Sequence, residues 1–247
     1  MQEHAETVDG LFRNKVRVIQ ASKGYRVSED ALILTWFAKP GADDLVLDAG
    51  AGCGVIAFGL AIKNPSVYLV GLEIQDGLAG RAQRGVELNG LGARVSVVQG
   101  DLRIADAFFR RDMFDMVVSN PPYYQSGSGR VSILSEKALS RHQIMMPLMD
   151  LFMVSSRLLK STGKLCLIYP AKGIHQLDTA AEVSCMNIKR KMWIRTQESA
   201  EPVLICLEVL KAHSDQDIVE ETICLYGANG TRTLQAEAIL AGEDYSV

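Results

Sequence analysis

One heptapeptide constrains the fold of this chain more than any other stretch. Asp48-Ala49-Gly50-Ala51-Gly52-Cys53-Gly54 follows the apolar triplet Leu45-Val46-Leu47 directly and runs straight into a helix-forming segment, 55–63. Glycines permit a tight turn and let a ligand approach the backbone closely. The helix that opens behind them offers unpaired N–H groups. A strand, a glycine turn and a helix N-terminus in that order predict a parallel α/β sheet with a ligand at the carboxyl ends of its strands.

The flanking sequence repeats the pattern. Apolar runs at 45–47, 67–72, 95–99, 113–119, 164–169, 189–194 and 203–210 read as strands, and 55–63, 77–89, 147–159 and 175–183 read as helices. The alternation predicts an α/β class, doubly wound, mostly parallel seven-stranded sheet. The connector 195–202 is short, as antiparallel pairing of the last two strands requires. Ahead of this domain, 41–247, residues 1–40 read as an extension packed on the ligand site. Residues 1–10 are expected to be disordered, segments 16–20 and 25–27 to form a hairpin around Ser22-Lys23-Gly24, and 31–38 to form a helix that stops at Pro40-Gly41. The tail after Tyr226 carries weak signals.

Composition narrows the function classes. A net charge of −3 argues against a protein that coats nucleic acid, though not against one that docks a single RNA through a local patch. No apolar run approaches the ~18 residues that span a bilayer, and the acidic N-terminus lacks a signal-peptide core, so the expectation is a cytoplasmic protein. The five cysteines contain no C-x-x-C pair and the four histidines are scattered, so no metal is expected.

The glycine loop admits two ligands. Gly52, Gly54 and Ala57 fit a dinucleotide fingerprint, a weak signal alone. But Asp48 at the strand end would repel a pyrophosphate and suits a cationic, amine-bearing ligand such as S-adenosylmethionine. The next strand ends at Glu73, placed to accept ribose hydroxyls. The third ends at Asp101, placed to accept from an adenine amino group. Any one of these acids could merely cap a helix; three at successive strand ends beside Gly50, Gly52 and Gly54 form a sharper pattern.

The fourth strand runs into Asn120-Pro121-Pro122-Tyr123-Tyr124. The lone pair of an adenine amino group is delocalised into the ring, so the nitrogen is a poor nucleophile. Two acceptors aimed at its N–H bonds, the Asn120 side-chain oxygen and the Pro121 carbonyl, would draw it toward tetrahedral geometry. Prolines fix such a turn in advance, and Tyr123 can stack on a planar substrate.

On these residues the chain resembles class I S-adenosylmethionine-dependent methyltransferases that carry an N-P-P-Y motif. Within them, Gln20 to Ala31 and Asn120 to Tyr124 resemble the bacterial valine-tRNA adenine N6-methyltransferases. The resemblance implies methylation of an adenine amino group in tRNA, with Tyr25, Arg26 and Asp30 closing over the cofactor and Asn120 beside it. It leaves three alternatives: a glutamine methyltransferase acting on a release factor, a small-molecule methyltransferase, and a non-catalytic RNA-binding scaffold. Candidate RNA contacts are Tyr124, Arg130, Arg141 and the run Lys189-Arg190-Lys191. The expected assembly is a monomer or weak dimer.

Overall fold

The computed structural model describes residues 5–23, 26–122, 148–212 and 217–244. The chain begins with an antiparallel hairpin of β1 (Glu6–Leu11) and β2 (Val16–Ala21), Glu6 facing Ala21. This corrects two expectations. Segment 6–11 is ordered strand, and it, rather than 25–27, pairs with β2. β1 escapes sequence reading because none of its residues is fully buried and Val8, on its exposed side, breaks the apolar-in, polar-out alternation. Its hold on the domain is ionic: Glu6 pairs with Arg81 at 3.1 Å and Arg84 at 2.7 Å. The turn between the strands places Phe12, Arg13 and Asn14 consecutively in the left-handed region, at φ 50°, 54° and 64°, where non-glycine residues are uncommon. Burial of Phe12 offsets that strain. Its ring lies so close to Gly59 and Gly242 that a Cβ on either would come within 2.9 Å of it.

The helices are α1 (Glu29–Phe37), α2 (Val55–Lys63), α3 (Asp76–Leu88), α4 (Leu148–Leu158), α5 (Ile174–Val183) and α6 (Leu234–Leu240). Among the described residues the sheet has eight strands, not the seven predicted. They are β3 (Leu45–Ala49), β4 (Tyr68–Glu73), β5 (Val95–Gln99), β6 (Phe114–Ser119), β7 (Leu159–Pro170), β8 (Asn187–Arg195), β9 (Pro202–Leu210) and β10 (Val219–Cys224). Their order is β10-β8-β9-β7-β6-β3-β4-β5. Only β9 runs against the others, paired antiparallel with β7 and β8. The added strand, β10, lies parallel to β8 at the edge; its sequence Val-Glu-Glu-Thr-Ile-Cys buries little, which is why hydrophobic patterning misses it.

Two apolar layers cover the sheet. One contains α1, α2, α6 and the hairpin residues Phe12, Val16 and Val18; the other contains Leu151 and Phe152 of α4 and Leu177 of α5. Strand residues alternate between the layers: Val46, Met116 and Val118 face the first, Leu47 and Val117 the second. The strand order reverses at β3, flanked by β4 and β6. In such sheets a ligand crevice opens outside the carboxyl ends at that reversal. Among the described residues no helix is long and apolar enough to cross a membrane.

Candidate active site

A cleft of ≈ 380 Å³ opens at that reversal, and the ends of β3, β4, β5 and β6 all reach it. The β3 end supplies the glycine loop. Gly54 adopts φ 92° as the residue before α2, a conformation glycine takes at no steric cost, and a Cβ there would lie 2.3 Å from the ring of Phe58. Backbone bonds from Gly50 and Ala51 to the carbonyl of Leu72, at 2.9 and 3.0 Å, pin the loop to β4.

Glu73 ends β4 and lines the cleft, 5% exposed. Its Oε2 accepts from Gly52 N–H at 2.8 Å and its Oε1 from Gln75 N–H at 2.9 Å. Burial raises its pKa, opposed by those backbone hydrogen bonds. Asp101 lines the same cleft beyond β5. Its carboxylate accepts from Arg103 N–H and is clasped by the Arg103 guanidinium, which lowers its pKa. Apolar Leu72, Ile74, Leu78 and Leu102 lie between these acids, and Ser28, Asp30 and Ala31 of the α1 entrance form the facing wall.

Asp48 is placed differently from expectation. It lies behind the loop, fully buried, and is not part of the cleft wall. Its Oδ2 accepts from Ala57 N–H at 3.1 Å and so caps α2, while Oδ1 has no hydrogen-bond partner among the described residues. Desolvation pushes its pKa up to about 7. One oxygen of this acid therefore serves as a helix cap, and the other is buried behind the loop.

On the β6 side, Asn120, Pro121 and Pro122 line the same cleft as the glycine loop. Sequence reasoning missed the residue that holds them there. Ser119, fully buried, donates its hydroxyl to the carbonyl of Ala49 at 2.7 Å, tying the end of β6 to the end of β3. A single serine at a strand end gives no periodic signal; only the neighbouring strand reveals its partner.

Two expected roles are corrected. Arg26 is turned toward the hairpin, where it pairs with Asp9 at 2.5 Å, beside Gln20; it braces β1 instead of lining the cleft. Lys189-Arg190-Lys191 is not one basic patch, because successive strand residues point to opposite faces. Arg190 lies 3.9 Å from the centre of the Phe37 ring and donates to the Phe37 carbonyl. Lys189 donates to the Asp217 carbonyl, and Lys191 sits between Asp178 and Glu220, 3.9 Å from each. Tyr25, Tyr123, Tyr124, Arg130 and Arg141 lie outside the described residues. Among the described residues no cluster of His, Cys, Asp and Glu could hold a metal ion.

The model of the Methyltransferase small domain family matches residues 29–173, more than half of the chain. The chain belongs to this family. It is accordingly a methyltransferase, and its methyl donor is S-adenosylmethionine. The matched stretch carries the glycine loop, both cleft acids and the Asn-Pro-Pro turn. Among curated relatives, the tRNA1(Val) (adenine(37)-N6)-methyltransferase of Porphyromonas gingivalis is 27% identical, over 85% of each chain. That of Trichodesmium erythraeum is 29% identical, over 81% of this chain and 84% of the relative. Solved structures share the fold. A predicted O-methyltransferase from Agrobacterium tumefaciens superposes with a TM-score of 0.70 at 18% identity, covering 88% of this chain and 99% of that one. M. jannaschii TYW2, in complex with AdoMet, gives 0.58 at 15% identity, covering 85% and 88%.

The donor set fits this cofactor. Glu73, Asp101 and Asp30 are carboxylates, and among the described residues the one arginine lining the cleft, Arg103, is already paired with Asp101. Such a set accepts hydrogen bonds from hydroxyls and amines and repels phosphates, which excludes the dinucleotide that Gly52, Gly54 and Ala57 left open.

Proposed function

We propose that this methyltransferase acts on the exocyclic amino group of an adenine in tRNA. The observation that carries the reading is that Asn120, Pro121 and Pro122 share one cleft with Glu73 and Asp101. The named activity of the relatives supports the same substrate. When bound, the cofactor supplies an electrophilic methyl group on a sulfonium.

The protein's own contribution is orientation. Glu73, held by two backbone N–H groups, accepts the ribose hydroxyls. Asp101 accepts the cofactor's adenine amino group, and Leu72, Ile74 and Leu102 enclose the ring. Asn120 Oδ1 and the Pro121 carbonyl accept the two N–H bonds of the target amine and free its lone pair. The prolines and the Ser119–Ala49 bond fix that turn beforehand, so little reorganisation accompanies reaction. The departing proton leaves from a nitrogen that has become cationic and needs no strong base. Tyr123 stacks on the target base, and Tyr124, Arg130 and Arg141 contact the RNA near it.

The deciding experiment offers labelled donor with total tRNA, release factor and small amines, followed by nucleoside analysis. Label in N6-methyladenosine from tRNA is expected. Label in release factor alone would replace the substrate while leaving the chemistry of a planar nitrogen intact.

A further inference from the structure

The chain beyond β9 lies outside the segment that the family model matches, yet it reaches the entrance of α1. Ser28, Asp30 and Ala31 there form a wall of the cleft. One ordinary local support is missing at this entrance. Ser28 is the residue before α1, but its side chain makes no capping hydrogen bond, although serine in that position ordinarily satisfies one of the free N–H groups. From Ala31 onward α1 is almost wholly buried, whereas residues 27–30 are half-buried, with Val27 alone of the four packed against the core.

Their support comes from distant parts of the chain. From β2, Gln20 Oε1 accepts from Val27 N–H at 2.7 Å. From the tail, Arg232 pairs with Glu29 and lies over the ring of Tyr226, 5.0 Å from its centre. Tyr226 is in turn bridged to Arg232 through the backbone, and its N–H donates to the Thr196 carbonyl at 2.9 Å. That second bond fastens the arrangement to the loop between β8 and β9.

We propose that Arg232 is a positioning residue for the methyl-donor site: stacked on Tyr226, it holds Glu29 and so sets the first turn of α1 as the cleft wall carrying Ser28 and Asp30. This rests on the cleft being the S-adenosylmethionine site. Arg232 acts without touching the cofactor. The pair is partly open to solvent, 27% on Arg232 and 45% on Glu29, and such pairs add little to global stability. Its effect is local, selecting one position of a turn that its own cap leaves loose. Arginine suits the task because its planar group stacks by its face and pairs by its edge at once, which lysine cannot do.

The test is calorimetric titration of S-adenosylmethionine into wild type, Arg232→Gln, Glu29→Gln and the double variant, with melting curves of each free protein. Each single variant is expected to weaken donor binding about three- to fivefold, and the double variant no further than the singles. Melting temperatures should stay within about 2 °C of wild type. Tyr226→Leu, which removes the ring and no charge, should weaken binding in the same direction. In turnover the donor KM should rise while kcat at saturating donor holds. Wild-type affinity in both single variants overturns the proposal, as do additive losses in the double variant, a melting temperature lowered enough to account for the loss, or a fall in kcat at saturating donor. Failure of wild type itself to bind the donor would instead remove the cleft assignment, and this proposal with it.

Discussion

Ser119 and Ala49 are joined by a 2.7 Å hydrogen bond from hydroxyl to carbonyl, so the strand that delivers Asn120 is fastened to the strand that delivers the glycine loop. Substrate and donor halves of the site thereby share one fixed reference. Ser119→Ala should lower unfolding free energy by about 1–2 kcal/mol in denaturant titration. It should also reduce kcat more than it weakens donor binding, because the turn loosens while Glu73 and its partners are untouched. Equal kcat in the variant would mean that the tie serves stability alone.

In the proposed reaction Asn120 polarises the target nitrogen. Asn120→Ala leaves both prolines and removes one preorganised acceptor, a loss that typically costs about 10²–10³ in kcat. Donor affinity measured by calorimetry should be nearly unchanged. Near-normal turnover on tRNA would exclude the proposed polarisation of the target nitrogen.

Asp48 sets a pH dependence. Burial raises its folded-state pKa from 3.8 to about 7, so the native state holds this proton more tightly than the unfolded chain. The stability it contributes is complete below about pH 4 and is lost as pH rises through about 7. The free protein should therefore be more stable at pH 8 as Asp48→Asn than as wild type, by thermal melting. A cationic donor favours the ionised carboxylate, so wild-type donor affinity should climb with pH and level off above about 7. The asparagine variant should bind more weakly and show no such climb.

Glu6 works in the opposite direction. Its hydrogen bonds to Arg84 and Arg81, against some desolvation, hold its pKa at about 2 instead of 4.5. Its contribution is present above pH 4.5 and disappears as pH falls toward 2. Hydrogen exchange should show β1 opening early on acidification, and Glu6→Gln should open it at neutral pH while leaving the central strands protected.

The central fold was legible because its signals are local: apolar runs of strand length, the Asp48–Gly54 turn, and acids at Glu73 and Asp101 just past successive strands. The prediction stopped where partners are distant in sequence. β1 buries none of its residues fully and β10 only Ile223, so hydrophobic patterning passes over them. Lys189-Arg190-Lys191 looks like one charge in a linear reading, but a strand divides it between two faces, and Phe37, Asp178 and Glu220 engage the pieces. Asp48 matched its expected strand end, yet only the packed structure shows that it sits behind the loop and divides its oxygens between a helix cap and an unpartnered position. Arg26 lay beside the right elements and turned to the hairpin because Asp9 was there to receive it.

The contact between Phe12 and Gly242 carries a consequence for the order of folding. It joins positions far apart in the chain, with the whole central sheet between them. Closing so long a loop costs entropy before the contact gives anything back. The strained turn at 12–14 is therefore expected to gain this packing partner late, after the central strands have paired.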